Sequence, residues 1–364
     1  MMRMSIIKLS FAVLFLSSCA YSDQLKVPSS SEALLNSHSG NIIQQDGYYY
    51  LFGEYRVDNT DWRTKNLGNN QKITLYRSKD LKNWTSLGNV LDLSNDKRNF
   101  ELERPKAIYN KETNKYLLWF HLQPNRKFTR GIGLAGVAIA DRIDGPYKFL
   151  GMYQVGQGHQ AEKSVYSTSV DQKWAKLSDK FYKDFMPNGQ EIHDLNVYTE
   201  NNNAYLVYSA EEGYAVQIVK LDPTFTKPTD QFVRVLVGER HEAPVLFKHD
   251  GKYFLISSGI TGYRNNTATV ATSKDIMGDW KTVGVFPKSS NSNDIATTFG
   301  SQPAFVFQCQ SSKKFVYVGD VWNTSEHFKY LWQSKYIWAD INFDSNNLPY
   351  IDSNSIKSSD KVCN

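Results

Sequence analysis

This 364-residue sequence predicts an all-β fold, a five-bladed β-propeller, on three observations. Strand-like segments of similar make-up recur five times along the chain. Turns rich in Asn, Asp or Gly precede several of them. A second strand pattern, closing on an Asp-containing turn and an aromatic residue, follows most of them.

The recurrent segments are residues 47–54, 115–121, 204–209, 252–258 and 314–320, dominated by Tyr, Phe, Leu and Val, which suit a pleated surface. The turns ahead of them are Gln45-Asp46-Gly47, Glu112-Thr113-Asn114, Asn201-Asn202-Asn203 and His249-Asp250-Gly251. Such turns are hairpin signals, because Asn, Asp and Gly accept the positive φ that tight hairpins need. The second pattern runs through residues 73–84, 138–147 and 270–280, with a degenerate copy at 216–222. Five copies spaced roughly 50–90 residues apart predict radial repetition rather than a sandwich. Helical periodicity is confined to about residues 171–185, inside a long insertion at 155–192 that reads as a rim loop or lid. Residues 37–364 are therefore expected to form one propeller domain.

Ahead of it, Arg3 and Lys8 flank an apolar run at residues 9–16, too short to span a bilayer, which reads as an export signal. Leu16-Ser17-Ser18-Cys19 matches a bacterial lipobox and predicts lipidation at Cys19, with residues 1–19 as the signal peptide. Residues 20–36 then form a polar tether, loosest at Pro28-Ser29-Ser30-Ser31. The expected location is the cell envelope, at the outer membrane in a Gram-negative host because Ala20 rather than Asp follows the cysteine. Contact with the membrane is expected through the lipid alone.

The formal charge of +5 is mild and scattered, with no basic stripe, which excludes nucleic acid as a partner. The 22 Tyr, 20 Phe and 8 Trp serve strands and core first and leave a few faces for sugars. Cys309 and Cys363 can stand as two thiols or as a disulfide; bridged, they would close a long loop worth about 4 kcal/mol.

Three carboxylate contexts precede strands: Phe100-Glu101-Leu102-Glu103-Arg104-Pro105, Ile192-His193-Asp194-Leu195 and His241-Glu242-Ala243-Pro244. Two have the form Glu-x-Pro, in which proline fixes the backbone and pins the acid at the channel mouth. Cleaving a glycosidic bond takes one group to protonate the leaving oxygen and another to activate water or attack. Two neighbouring buried carboxyls push one pKa up and so supply an acid that is still protonated at neutral pH.

In order along the chain, Ser37-His38-Ser39-Gly40, Tyr50-Leu51-Phe52-Gly53-Glu54-Tyr55, Glu103-Arg104-Pro105-Lys106, His193-Asp194, Glu242-Ala243-Pro244, Ser258-Gly259-Ile260-Thr261-Gly262-Tyr263, Ser301-Gln302 and Gly319-Asp320-Val321-Trp322-Asn323 form a consistent set. This set resembles glycoside hydrolase family 43, most closely its exo-β-1,3-galactanase branch, over about residues 37–345. The resemblance implies an exo-acting, inverting hydrolase of a galactose-containing polysaccharide such as β-1,3-galactan. Glu242 would be the general acid, Asp194 the carboxylate that tunes and orients it, and Glu103 a ligand of the terminal sugar. Glu54, His121, Thr261, Tyr263, Asp320 and Trp322 would complete the sugar site, and His38 reads as a structural histidine.

The family's base is normally an Asp at the start of blade one, where this chain has Ser37-His38-Ser39-Gly40. The galactanase branch shares that gap, and Gln302 would place the water instead, with Glu103 as the rival base. No cofactor is implied; some members hold a channel calcium, and no Asp-x-Asp loop supports one here. The chain departs from the branch in having fewer glycines near Ser39-Gly40, in the turn Glu200-Asn201-Asn202-Asn203, and in the insertion at 155–192. A carbohydrate-binding propeller without turnover, and an arabinanase or xylosidase of the same family, are the alternatives.

Overall fold

The computed structural model describes residues 35–57, 70–126, 129–168 and 170–363. The export signal, Cys19 and the tether up to residue 34 lie outside the described residues. Leu35 and Asn36, expected in the tether, belong to the folded unit. Leu35 packs on an apolar cluster. The Asn36 amide donates to the Arg56 carbonyl and accepts its N–H, at 2.5 and 2.9 Å.

Five antiparallel blades succeed one another. Blade one is β1 (His38–Gln45), β2 (Tyr48–Tyr55), β3 (Lys72–Ser78) and β4 (Thr85–Asp92). Blade two is β5 (Glu101–Asn110), β6 (Lys115–Gln123), β7 (Leu134–Ala140) and β8 (Lys148–Tyr153). After the insertion elements β9 (Lys163–Tyr166) and α1 (Gln172–Phe185), blade three is β10 (Leu195–Glu200), β11 (Asn203–Ala210), β12 (Ala215–Leu221) and β13 (Pro228–Val237). Blade four is β14 (Glu242–His249), β15 (Lys252–Ser258), β16 (Thr269–Ser273) and β17 (Lys281–Val285), followed by the short helix α2 (Ser292–Thr297). Blade five is β18 (Gln302–Gln308), β19 (Phe315–Val321) and β20 (Lys335–Asp340). After the ribbon of β21 (Asn342–Phe343) and β22 (Pro349–Tyr350), β23 (Ile356–Lys357) adds its outer strand.

Each recurrent segment of the sequence is the second strand of its blade. Its continuous hydrophobicity has a packing cause: successive side chains point to opposite faces, and both faces are buried between blades. In β6, Leu118 and Phe120 pack toward blade one, whereas Leu117 and Trp119 pack toward blade three. In β15, Leu255 packs toward blade three, whereas Phe254 and Ile256 pack toward blade five. The hairpin turns hold the expected left-handed pairs, Asp46-Gly47 at φ 51° and 74° and Asp250-Gly251 at φ 46° and 72°. Glu54 is the next-to-last residue of β2, and His121 lies within β6.

Among the described residues no strand is shared between the first and last blades, so the ring closes by side-chain packing and polar contacts. Ile42 and Leu51 pack with Phe305, Val318 and Trp338. The Gln44 amide donates to the Gln308 carbonyl at 2.7 Å, and Tyr336 O–H donates to the Ser37 carbonyl at 2.7 Å. Cys309 and Cys363 are disulfide-bonded, Cα atoms 5.5 Å apart across 54 residues of sequence, and Val362 enters the same cluster. Opening a loop of that length is expected to cost about 4 kcal/mol by the chain-entropy argument. Denaturant titration with and without reductant checks this: the wild type loses stability on reduction, and Cys309→Ser starts from the lower value and does not respond.

The insertion is not a lid. The strand β9 pairs in parallel with β13, Lys163 opposite Val233, and widens blade three to five strands. The helix α1 is capped by Asp171, whose carboxylate accepts the Lys173 N–H at 2.9 Å. It docks through buried Ala175, Ser178, Phe181 and Tyr182. Its amphipathic spacing gave the helix in sequence, but its docking face becomes visible only against blade three.

Candidate active site

The innermost strands of blades one, two and four open with the same irregularity. Their register shifts after His38, Glu103 and Glu242. The following residues, Ser39, Arg104 and Ala243, take φ of 52°, 55° and 54°. A β-bulge re-aims the side chain beside it and strengthens the local twist. The prolines Pro105 and Pro244 come next, at positions where a missing N–H breaks no regular ladder bond. Left-handed non-glycine residues cost on the order of 1–3 kcal/mol each, so the surroundings must hold them. For Ser39 the holder is Asp320, which accepts both its N–H and its hydroxyl, at 3.0 and 2.9 Å. For Ala243 it is Asp194, whose Oδ2 accepts the Ala243 N–H at 2.9 Å.

Asp194 and the acid at 242 are thereby neighbours across two blades. Glu242 keeps partial exposure. Its Oε1 accepts the Thr261 N–H at 3.1 Å and the Gln302 amide at 2.9 Å. With Oε1 accepting twice, the proton of the neutral acid sits on Oε2. Burial first, then the charge of Asp194, pushes this carboxyl up to about 8.

Arg104, quoted in the sequence motif but given no role there, is the hub. Its Nη2 donates to Gln302 Oε1 at 2.7 Å and lies 3.2 Å from Asp194 Oδ2. Its Nη1 donates to the Pro303 carbonyl at 2.8 Å and lies 3.9 Å from Asp320. Gln302 is fully engaged. Its Oε1 accepts from Arg104 and from the Trp322 indole N–H at 2.8 Å. Its Nε2 donates to Glu242 and lies 3.3 Å from Ser258 Oγ.

Glu103 Oε1 accepts Tyr263 O–H at 2.8 Å and Arg56 Nη2 at 3.3 Å, and its Oε2 lies 3.6 Å from His121 Nδ1. Burial opposes its charge, but His121, Arg56 and Tyr263 outweigh burial and hold it well below the usual carboxylate range. Arg56 also pairs with Glu54 at 2.7 Å. Burial pushes Glu54 up to about 7, with the charge of Glu103 adding to it and Arg56 opposing. Arg56 stacks on the rings of Tyr263 and Trp322, 5.0 and 5.1 Å from their centroids. His38 is buried, with Nε2 3.2 Å from the Trp332 carbonyl, and burial and Arg56 lower it to about 3, so it is neutral.

Two sugar contacts expected from the resemblance are placed otherwise. Asp320 is fully buried, both oxygens taken by Ser39, and acts as a tie between blades five and one. Thr261 meets Glu242 through its backbone N–H, while its hydroxyl donates to the Arg264 carbonyl.

Two adjoining cavities share Glu103, Asp194 and Glu242. One, of about 430 Å³, lies among the innermost strands against Glu54, Arg56, Tyr263, Gln302 and Trp322. The other, of about 340 Å³, runs toward His121, His193, Glu212, Arg240 and Ile260. The opposite strand ends surround a third cavity lined by apolar residues, amides and lysines, with no carboxylate among its lining residues. The acid chemistry thus sits at the bulged end of the innermost strands.

The family model for glycosyl hydrolases family 43 matches residues 148–318. A family 43 β-1,3-galactosidase solved with galactodeoxynojirimycin is 29% identical, with a TM-score of 0.75 over 87% of this chain and 94% of that one. A second β-1,3-galactosidase of that family is 26% identical, with a TM-score of 0.71 over 89% of this chain and 60% of that one. An exo-β-1,3-galactanase from Clostridium thermocellum is 28% identical, with a TM-score of 0.70 over 87% of this chain and 61% of that one. The chain therefore spans about three fifths of the latter two. No curated protein sequence matches the chain.

Proposed function

We propose that this chain, which matches the family 43 model over residues 148–318 and resembles β-1,3-galactosidases and galactanases in structure, is a glycosidase that releases galactose, with inversion, from the non-reducing ends of a β-1,3-linked galactan. The observation that carries this reading is the placement of Glu242 and Asp194 together at the junction of two adjoining cavities, Asp194 accepting the N–H of the residue after Glu242 at 2.9 Å, where burial and the Asp194 charge raise the Glu242 carboxyl. A bond held at that junction has a terminal ring on one side and the rest of the chain on the other, which is the arrangement an exo-acting enzyme needs.

Glu242 delivers its Oε2 proton to the leaving oxygen. Asp194 keeps that proton in place until then and orients the acid through the Ala243 N–H. Arg104 pairs with Asp194, holding it as a carboxylate, and fixes Gln302. Water placement by Gln302 has little support in this arrangement, because both lone pairs of its oxygen face donors that cannot accept, a guanidinium and an indole. An imidic form would put a hydroxyl proton against those same donors. We therefore propose that Glu103, the carboxylate that lines both cavities, positions the water by accepting its hydrogen bond, its lowered pKa making it a weak proton acceptor, and we give Gln302 the task of holding Glu242. On the Leu16-Ser17-Ser18-Cys19 segment alone, we place the enzyme at the cell envelope as a lipoprotein.

The test is purified protein on β-1,3-galactan, followed by proton NMR. The expected result is galactose as the sole early product, with the α anomer appearing first. Binding of galactan without release would mean a lectin. Release of xylose or arabinose from their polymers, with galactan untouched, would mean another member of the family.

A further inference from the structure

Beside Glu242 in the sequence, but facing away from both cavities, lies a set of groups that the chemistry above does not use. His241 Nδ1 is 2.9 Å from the Ser257 hydroxyl, and its Nε2 is 2.9 Å from a Glu239 oxygen. A serine, an imidazole and a carboxylate in such a series have the make-up of a nucleophilic triad. Burial rules that task out. Ser257, His241 and Glu239 are 1%, 4% and 8% exposed, and none of them lines either cavity beside Glu242.

We infer that Glu239, His241 and Ser257 form a clamp that aims the general acid, with His241 as its positioning residue. The inference rests on the glycosidase reading above and deepens it.

The clamp is fully satisfied. Burial opposes the charge on Glu239, but His241 and the hydroxyls of Ser167 and Thr282 outweigh burial and hold it below the usual carboxylate range. An ionised carboxylate can only accept, so His241 Nε2 carries a proton and donates to it. Thr282 of β17 donates to the same carboxylate, 2.7 and 2.9 Å from its two oxygens. Ser257 of β15 occupies the other imidazole nitrogen.

The backbone of His241 is held as well, by a different blade. Its N–H donates to the Gly213 carbonyl at 2.9 Å, and its carbonyl accepts the Ser209 hydroxyl at 2.6 Å. Ser209 lies in β11 of blade three and Gly213 in the turn after it, whereas Ser257 and Thr282 belong to blade four. His241 therefore joins the two blades one residue before the acid.

The acid needs that joint because its own partners are divided between the same two blades. Asp194, just ahead of β10 in blade three, holds the Ala243 N–H at 2.9 Å. Thr261, just after β15 in blade four, donates its N–H to Glu242 Oε1 at 3.1 Å. Ser258, next to Ser257 and opposite Glu242 in the ladder, extends the joint to Gln302, 3.3 Å from its Nε2. If blade four slides against blade three, Glu242 moves relative to Asp194 and to the bond it must protonate. A displacement of about 1 Å in a reacting group costs up to about 10²-fold in rate.

The test compares β-1,3-galactobiose, whose leaving oxygen needs a proton, with β-galactosyl fluoride, whose leaving group needs none. His241→Ala is expected to lower kcat on galactobiose about tenfold or more, with KM nearly unchanged, and kcat on the fluoride by less than about twofold. Ser257→Ala removes a single hydroxyl and keeps the test valid should His241→Ala fail to fold; the same bias is expected at about threefold. Glu239→Gln can still hydrogen-bond to the imidazole and is expected to keep a galactobiose-to-fluoride ratio closer to wild type than His241→Ala does. Equal losses on both substrates, or no loss on either in the folded variants, overturn the clamp. A wild type inert on both substrates overturns the function reading and the clamp with it.

Discussion

Glu242→Gln is expected to stay folded and bind galactan while kcat on β-1,3-galactan falls about 10²–10⁴-fold, the usual worth of a placed general acid. The geometry explains why binding survives. The amide is isosteric, and its oxygen can accept from Thr261 N–H and Gln302 as Oε1 does now. Its NH₂ then occupies the position of the Oε2 proton and can donate a hydrogen bond, but it cannot transfer the proton. The same variant is expected to lose far less on β-galactosyl fluoride, because fluoride departs without protonation. Steady-state rates on the two substrates check both statements. An equal loss on both would mean that the side chain at 242 positions the sugar rather than acts as an acid.

Asp194→Asn is expected to move the alkaline limb of the kcat/KM profile down by about one pH unit or more, since a like charge nearby raises a carboxyl by that order. The sign follows from the task of Glu242. Its acid form is the active one, so activity is full below its pKa and falls as pH rises through it. In the wild type that value is raised to about 8, by burial first and by Asp194 second. Removing the Asp194 charge leaves only burial to hold the proton, so activity fails at lower pH. The Asn oxygen can still accept the Ala243 N–H, but Arg104 loses a charged partner, so kcat at the optimum also falls. A pH–rate series on galactosides, with a melting curve as the folding control, is the measurement. A lower rate with an unmoved limb would mean that Asp194 places Glu242 without tuning it.

Much of the fold is a matter of local chemistry. Asp46-Gly47 and Asp250-Gly251 can adopt left-handed pairs wherever they stand, so their hairpins are legible in a linear sequence. The second strands are legible because burial on both faces leaves a continuous apolar run, as in residues 115–120. Their rank within the blade is not legible, since an apolar run does not say which neighbours hydrogen-bond to it.

At the site, residue types pointed to Glu103, Asp194 and Glu242, because three acids recur at matching points of a repeat. Their company did not. Arg104 reaches Gln302 across 198 positions and Ser39 reaches Asp320 across 281. Nothing near either residue in sequence announces that Asp320 is buried or that the Gln302 oxygen is occupied twice.

By itself the sequence determined the five strand repeats, the hairpin turns, the helix in the insertion and the three carboxylates, because each depends on a few adjacent residues and their backbone preferences. Only the tertiary structure decided what raises the Glu242 carboxyl and which donors occupy the oxygen of Gln302. Those depend on dehydration and on charges a few ångströms apart in space but far apart along the chain, quantities that exist only once the blades have closed around the channel.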